Sequence, residues 1–111
     1  MSINTQTQNQ FDSFAEFYPY YLSEHANARC RQLHFVGSWL VLSIILLSIV
    51  TSNWTLLWFI PIVGYGFAWL GHFFFEKNRP ATFRHPFYSL LGDWVMFKDI
   101  LTGKITLTDK Q

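Results

Sequence analysis

The polar and apolar positions of this chain divide it into a long uncharged middle between two mixed ends. Residues 35–75 contain no Asp, Glu, Lys or Arg, and Thr51-Ser52-Asn53 is the one polar interruption before Trp54 restarts the apolar run. A bilayer's hydrocarbon core takes about 20 apolar residues per helix. Residues 35–54 are therefore just long enough to cross, and residues 54–75 cross comfortably. The pattern predicts two transmembrane helices joined by a tight turn, a hairpin whose two ends reach the same membrane face. A soluble helical protein with an apolar central hairpin is the alternative, and it leaves the charge-free window unexplained.

The flanks carry their own signals. Ser13-Phe14-Ala15-Glu16 has the form of a capping box and predicts the start of a short helix. Pro19 is expected to interrupt it and to sit in the first turn of a second helix running from about Pro19 toward Arg31. In the second span Gly64, Ala68 and Gly71 line one seam with small residues that allow close approach of another helix, which predicts self-association, and Pro61 should kink the span near its start. After a loop bounded by Pro80 and Pro86, the positions Leu90, Leu91, Trp94, Phe97 and Leu101 share a helical face opposite Ser89, Asp93 and Asp99. This predicts an amphipathic helix lying on the interface, ended by Gly103. The expected fold is an all-α integral membrane helical bundle: a broken N-terminal helix, the transmembrane hairpin, and the C-terminal interfacial helix. Residues 11–103 form its single domain, between a polar, uncharged, disordered tail at 1–10 with no secretory signal and a polar tail at 104–111.

Composition agrees. Of 111 residues 50% are hydrophobic, 20% aromatic and 14% charged, against about 25% charged in soluble domains. The net charge of +1 excludes a general nucleic-acid footprint, and the single cysteine, Cys30, excludes an internal disulfide. Arg29, Arg31, Lys77, Arg79 and Arg84 flank the hairpin while its turn has no basic residue. The positive-inside rule then places both termini on the cytoplasmic side.

The hairpin also gathers His25, His34, His72 and His85 at that one face. Neutral imidazole is the commonest metal ligand, and all-His donors with open positions suit iron(II) or zinc. Glu24, Glu76 and Asp93 are candidate ligands or partners that orient a ring N–H. Glu76 lies one turn beyond His72, although with Lys77 it equally marks a membrane boundary. His25 and His34 are nine apart, on opposite sides of a straight helix and roughly 13 Å apart along its axis. They share an ion only if the chain breaks between them, and the bend is expected within residues 26–30. Interfacial histidines without a ligand role, or a structural zinc site in a non-catalytic protein, are the alternative. No other constellation competes: Ser23 and Ser89 lack a nucleophile elbow, and Gly64-Tyr65-Gly66 lies inside a span.

The run Phe17-Tyr18-Pro19-Tyr20-Tyr21-Leu22-Ser23-Glu24-His25, then His34-Phe35-Val36-Gly37, then the segment from Gly64 through Gly71-His72 and Glu76-Lys77-Asn78-Arg79-Pro80-Ala81 resembles the 2-hydroxy-fatty-acid dioxygenase family, named for metabolism of phytosphingosine to odd-numbered fatty acids. The resemblance covers the chain from Phe11 to about Ile100. It implies an iron(II)-dependent dioxygenase that takes a long-chain 2-hydroxy fatty acid and O₂ and shortens the acid by one carbon, with membrane lipids around it. His25, His34 and His72 match the family motifs directly, and His85 in Arg84-His85-Pro86 matches the shorter members. The family's Asn between its first two histidines is replaced here by Cys30. Eukaryotic members reside in the endoplasmic reticulum; a chain this short resembles bacterial, inner-membrane members.

Overall fold

The computed structural model describes residues 11–80 and 84–108. The tail at 1–10 and the loop residues 81–83 lie outside the described residues. Among the described residues the regular structure is all helical: α1 Phe14–Ser23, α2 Ala28–Thr51, α3 Phe59–Leu70 and α4 Pro86–Leu101. A 3-10 segment, Trp54–Trp58, leads into α3, and a π-helical segment, Gly71–Glu76, continues it.

α1 opens on the expected cap, with Ser13 Oγ accepting from the Glu16 N–H at 3.2 Å. The Glu16 carboxylate reaches back one residue further, to the Asp12 N–H. Pro19 does not interrupt the helix. It removes one backbone bond from a helix anchored by the buried Phe17 and Tyr21 on either side of it, and that anchorage outweighs the loss. The break comes instead at residues 24–27. Asn27 Oδ1 accepts from the Arg29 N–H at 2.8 Å and starts α2 at Ala28, so the break begins two residues before its expected window of 26–30 and overlaps only the start of it, and the first span begins seven residues earlier than residue 35.

α2 ends where Ser52 takes a left-handed conformation (φ 55°) and the Asn53 N–H returns to the Ser48 carbonyl at 3.1 Å. Pro61 falls in the first turn of α3, just past the 3-10 winding, where its missing N–H costs little. The two units Ala28–Thr51 and Trp54–Glu76 are both long and apolar enough to cross a membrane. Little of either is buried within the protein: Leu46, Val50, Trp58 and Ile62 are 63%, 72%, 76% and 68% exposed. An apolar belt of that extent is what lipid would cover.

The small-residue seam is used inside the chain. Gly64 faces Val41, Gly37 faces Phe67, and a Cβ on Gly71 would stand 2.9 Å from Cys30 Sγ and 3.1 Å from its Cα. Within one chain the seam brings the two spans together.

At one end of the hairpin a compact cap forms, with Phe17 and Tyr21 of α1 buried against Met96 and Ile100 of α4. Gly92 permits this, since a Cβ there would meet the Tyr21 ring at 2.9 Å. α4 begins with Pro86 in its first turn and ends before Gly103 (φ 85°). Phe87, Leu90, Leu91 and Leu101 face outward, while Ser89 and Asp99, expected opposite the apolar stripe, are buried. Phe97 departs from that stripe and is buried against Phe35 and Trp39. The expected polar tail is not free over its described part. Ile105 and Leu107 pack on the cap, and the backbone of residues 106–108 is held by α2 side chains.

Candidate metal centre

The break between α1 and α2 solves the problem of the opposed histidines. His25 lies in the break itself, so its ring direction is independent of the helix that carries His34. His72 enters from the π-helical end of the second span. All three are buried, at 1%, 8% and 1% exposure. Their Nε2 atoms converge: His25 Nε2 lies 3.1 Å from that of His34 and 2.9 Å from that of His72. Cys30 joins them, each of the four residues offering one donor atom within 4.8 Å of the others. This group could hold a metal ion.

Two of the three rings are turned by an oxygen at the other nitrogen. His25 Nδ1 lies 2.7 Å from the Tyr21 carbonyl, one turn back along the chain. A carbonyl only accepts, so Nδ1 carries the proton and Nε2 keeps its lone pair. His72 Nδ1 lies 2.8 Å from Asn78 Oδ1, with the same result. His34 Nδ1 is 3.7 Å from an Asp93 carboxyl oxygen, beyond hydrogen-bond length. Oxygen on Nδ1 with Nε2 facing inward is the usual surrounding of a metal-bound histidine. Burial holds the His25 ring's pKa well below the usual imidazole range, and the neighbouring His34 and His72 push the same way. It is therefore neutral, the state a ligand needs.

The supports are as specific as the ligands. The Tyr21 ring stacks on His25, with centroids 4.1 Å apart and planes at 25°, and its hydroxyl donates to Asp93. Burial raises the Asp93 carboxyl to about 7, with the Tyr21 hydroxyl acting in the opposite direction. Lys77 adopts a left-handed conformation (φ 61°) at the end of the π-helical segment. The chain turns there, the Asn78 N–H bonds the His72 carbonyl at 3.0 Å, and the Asn78 side chain reaches the ring. Asn78 Nδ2 in turn donates to the Glu24 carbonyl and carboxylate, both at 3.3 Å. Burial, then the Glu76 carboxylate, raises the pKa of Glu24.

Two sequence candidates stand elsewhere. Glu76 does not orient His72: its carboxylate accepts from the Asn27 N–H, because the wider π-helical winding turns it toward the start of α2. There it meets the positive end of a helix dipole. His85 is not in the converging group. It precedes α4 and packs against the rings of Phe11, Phe17 and Tyr20. Burial, then Arg84, lowers its pKa.

Sequence reasoning gave Asn78, Tyr21 and Arg31 no role at the site and did not count Cys30 among the donors. Arg31, 3% exposed, donates through Nη1 to the carbonyls of His25 (2.9 Å) and Ala26 (2.7 Å). Its Nε and Nη2 hold the carbonyls of Thr106 and Thr108, both at 2.8 Å. It ties the His25 break to the C-terminal segment. A signal was present, since Arg31 lies one turn before His34 and on its face.

Beside the histidines an apolar cavity of about 240 Å³ opens between α2, α3 and α4, with His34 and Asp93 at its edge. Comparison with known proteins gives one result: residues 11–105 match the model of a family described as 2-hydroxy-palmitic acid dioxygenase Mpo1-like. No curated protein and no solved structure matches the chain.

Proposed function

The chain belongs to the Mpo1-like family, and we propose that it is an integral membrane, iron(II)-dependent dioxygenase that shortens long-chain 2-hydroxy fatty acids by one carbon. The observation that carries this reading is the set of three buried Nε2 atoms, with each Nδ1 beside an outer oxygen, at the edge of an apolar cavity. Separations of 3.1 and 2.9 Å from His25 Nε2 to the other two nitrogens would let one ion be reached by all three. Three imidazoles would hold the ion and would leave a first-row metal room for a substrate.

Iron(II), when bound, supplies the redox chemistry that brings O₂ to react with an organic acid. The reaction balances without another reductant: R–CH(OH)–COOH and O₂ give R–COOH, CO₂ and water, the acid losing the four electrons that O₂ gains. In this reading His25, His34 and His72 are the ligands, Asn78 and the Tyr21 carbonyl fix two of their tautomers, and Asp93 faces the substrate's head group. The two spans cross the bilayer with both termini cytoplasmic.

The presence of Cys30 supports a second reading, a closed Cys-His₃ zinc site in a non-catalytic protein. One experiment separates them. Protein loaded anaerobically with iron(II) and given 2-hydroxyhexadecanoic acid and O₂ should yield pentadecanoic acid, while zinc-loaded protein should not. Tightly held zinc, with no product from the iron form at any chain length, would establish the second reading.

A further inference from the structure

We infer that the cavity between α2, α3 and α4 holds the alkyl chain of the acid inside the protein, with Val41 and Ile60 setting how much of it is enclosed. The inference rests on the proposed function only for the identity of the head group. Along α2 the lining residues His34, Gly37, Ser38 and Val41 occupy one face at i, i+3, i+4 and i+7, a run of roughly 10 Å. α3 descends alongside and contributes Tyr65 and Gly64, then Pro61 and Ile60. The cavity therefore has a direction. His34 and Asp93 form its polar end next to the converging nitrogens, and Val41, Ile60 and Pro61 form its apolar end within the spans.

Its size and surroundings fit an alkyl chain. An apolar cavity of about 150 Å³ is enough for a benzene ring, and this one is about 240 Å³. Gly64 keeps it open, for a side chain there would extend toward Val41, whose Cγ2 lies 3.7 Å from the position of the first added carbon. α4 packs on α1 and α2, and the cavity occupies the space left between α4 and α3. Leu90 and Tyr65, on its two sides, are 55% and 46% exposed, so it opens sideways toward the apolar belt. An acid dissolved in lipid can enter through that side with its tail leading and its head at His34. A polar ligand would find few side chains to bond, His34, Ser38, Tyr65, Asp93 and the indole N–H of Trp94, while Val41, Ile60 and Pro61 offer it none.

The test measures binding and needs no turnover. Octanoic, dodecanoic and hexadecanoic acids, without the 2-hydroxyl group, compete for purified protein in detergent against a hexadecanoic acid carrying a photoreactive diazirine near mid-chain, the part that a run of roughly 10 Å from the head group reaches. In the wild type, affinity should rise with chain length and the crosslinks should map to Val41, Ile60 or Pro61. Val41→Phe should weaken hexadecanoic acid at least about tenfold, as expected when two methylenes lose their burial, and leave octanoic acid within about twofold. Ile60→Ala should move the preference toward longer acids, and Gly64→Leu should weaken all three. Crosslinks confined to outward residues such as Leu46 or Ile62, or a Val41→Phe variant with an unchanged chain-length profile, would overturn the inference. Metal content checks that the histidine group is intact in each variant. Because plain acids report on the cavity alone, these outcomes are independent of whether the iron-loaded protein makes the shortened acid.

Discussion

Asn78 Oδ1 meets His72 Nδ1 at 2.8 Å, and the same amide's nitrogen reaches Glu24 on the segment that carries His25. One side chain thus sets the tautomer of one histidine and the position of the strand of chain bearing another. Asn78→Ala should lower metal affinity about 10- to 100-fold without abolishing binding, the range for loss of an outer partner. Asn78→Asp should keep more affinity than Asn78→Ala, since a carboxylate still accepts from Nδ1. Metal titration of the apo-protein gives both values, and an Asn78→Ala protein with wild-type affinity would remove the assignment.

The histidines should separate into two classes. His25→Ala, His34→Ala and His72→Ala should each lose most of the bound metal and nearly all activity while the helices stay folded, for in a membrane helix formation is driven by the bilayer. His85→Ala should retain its metal, because its ring is held among Phe11, Phe17 and Tyr20. Metal content by elemental analysis, beside helicity by circular dichroism, checks the division. Loss of metal from His85→Ala equal to that of the other three would return it to the ligand set.

Arg31 should matter as a strut. Arg31→Met leaves the carbonyls of His25, Ala26, Thr106 and Thr108 without the guanidinium that joins them. At about 1.5–3 kcal/mol for a hydrogen bond to a charged group, the loss should destabilise the protein by at least about 2 kcal/mol and loosen the His25 ligand. Arg31→Lys should not restore it, as one ammonium cannot span four carbonyls on two segments. Denaturant titration of the cap, followed by tryptophan fluorescence, reads the change.

Gly71→Ala places a carbon 2.9 Å from Cys30 Sγ and 3.1 Å from the Cys30 Cα. The spans must separate next to His72, at a cost of about 1–3 kcal/mol and with weaker metal binding. Adding Cys30→Ala should recover only part of the loss, since the contact with Cα is backbone and remains. Thermal melts of the three proteins test this; full recovery in the double variant would place the whole conflict at sulfur.

Reporter fusions test the orientation. A fusion after Gln111 should report the cytoplasm and one within Thr51-Ser52-Asn53 the opposite side. Both on one side would dismantle the hairpin.

The elements whose physics is local or one-dimensional are legible in the order of the residues. The charge-free window requires two long apolar helices, the cap at Ser13 starts α1, Pro86 and Gly103 bound α4, and the hairpin brings His34 and His72 to one end. Tertiary structure decided what depends on three-dimensional closure. Pro19 stays helical because Phe17 and Tyr21 are anchored on α4, a contact about 75 residues distant that spacing does not reveal. His25 escapes the helical face opposed to His34 because Asn27 caps α2 and Arg31 gathers the carbonyls of the break. Glu76 and His85 were reasonable ligand partners by sequence distance. A π-helical turn points the first at Asn27, and an aromatic cluster takes the second, while Asn78 reaches His72 only because Lys77 adopts a positive φ. Sequence periodicity assumes a uniform helix, and the site is built where the helices are not uniform: a break, a π-helical segment and a left-handed turn.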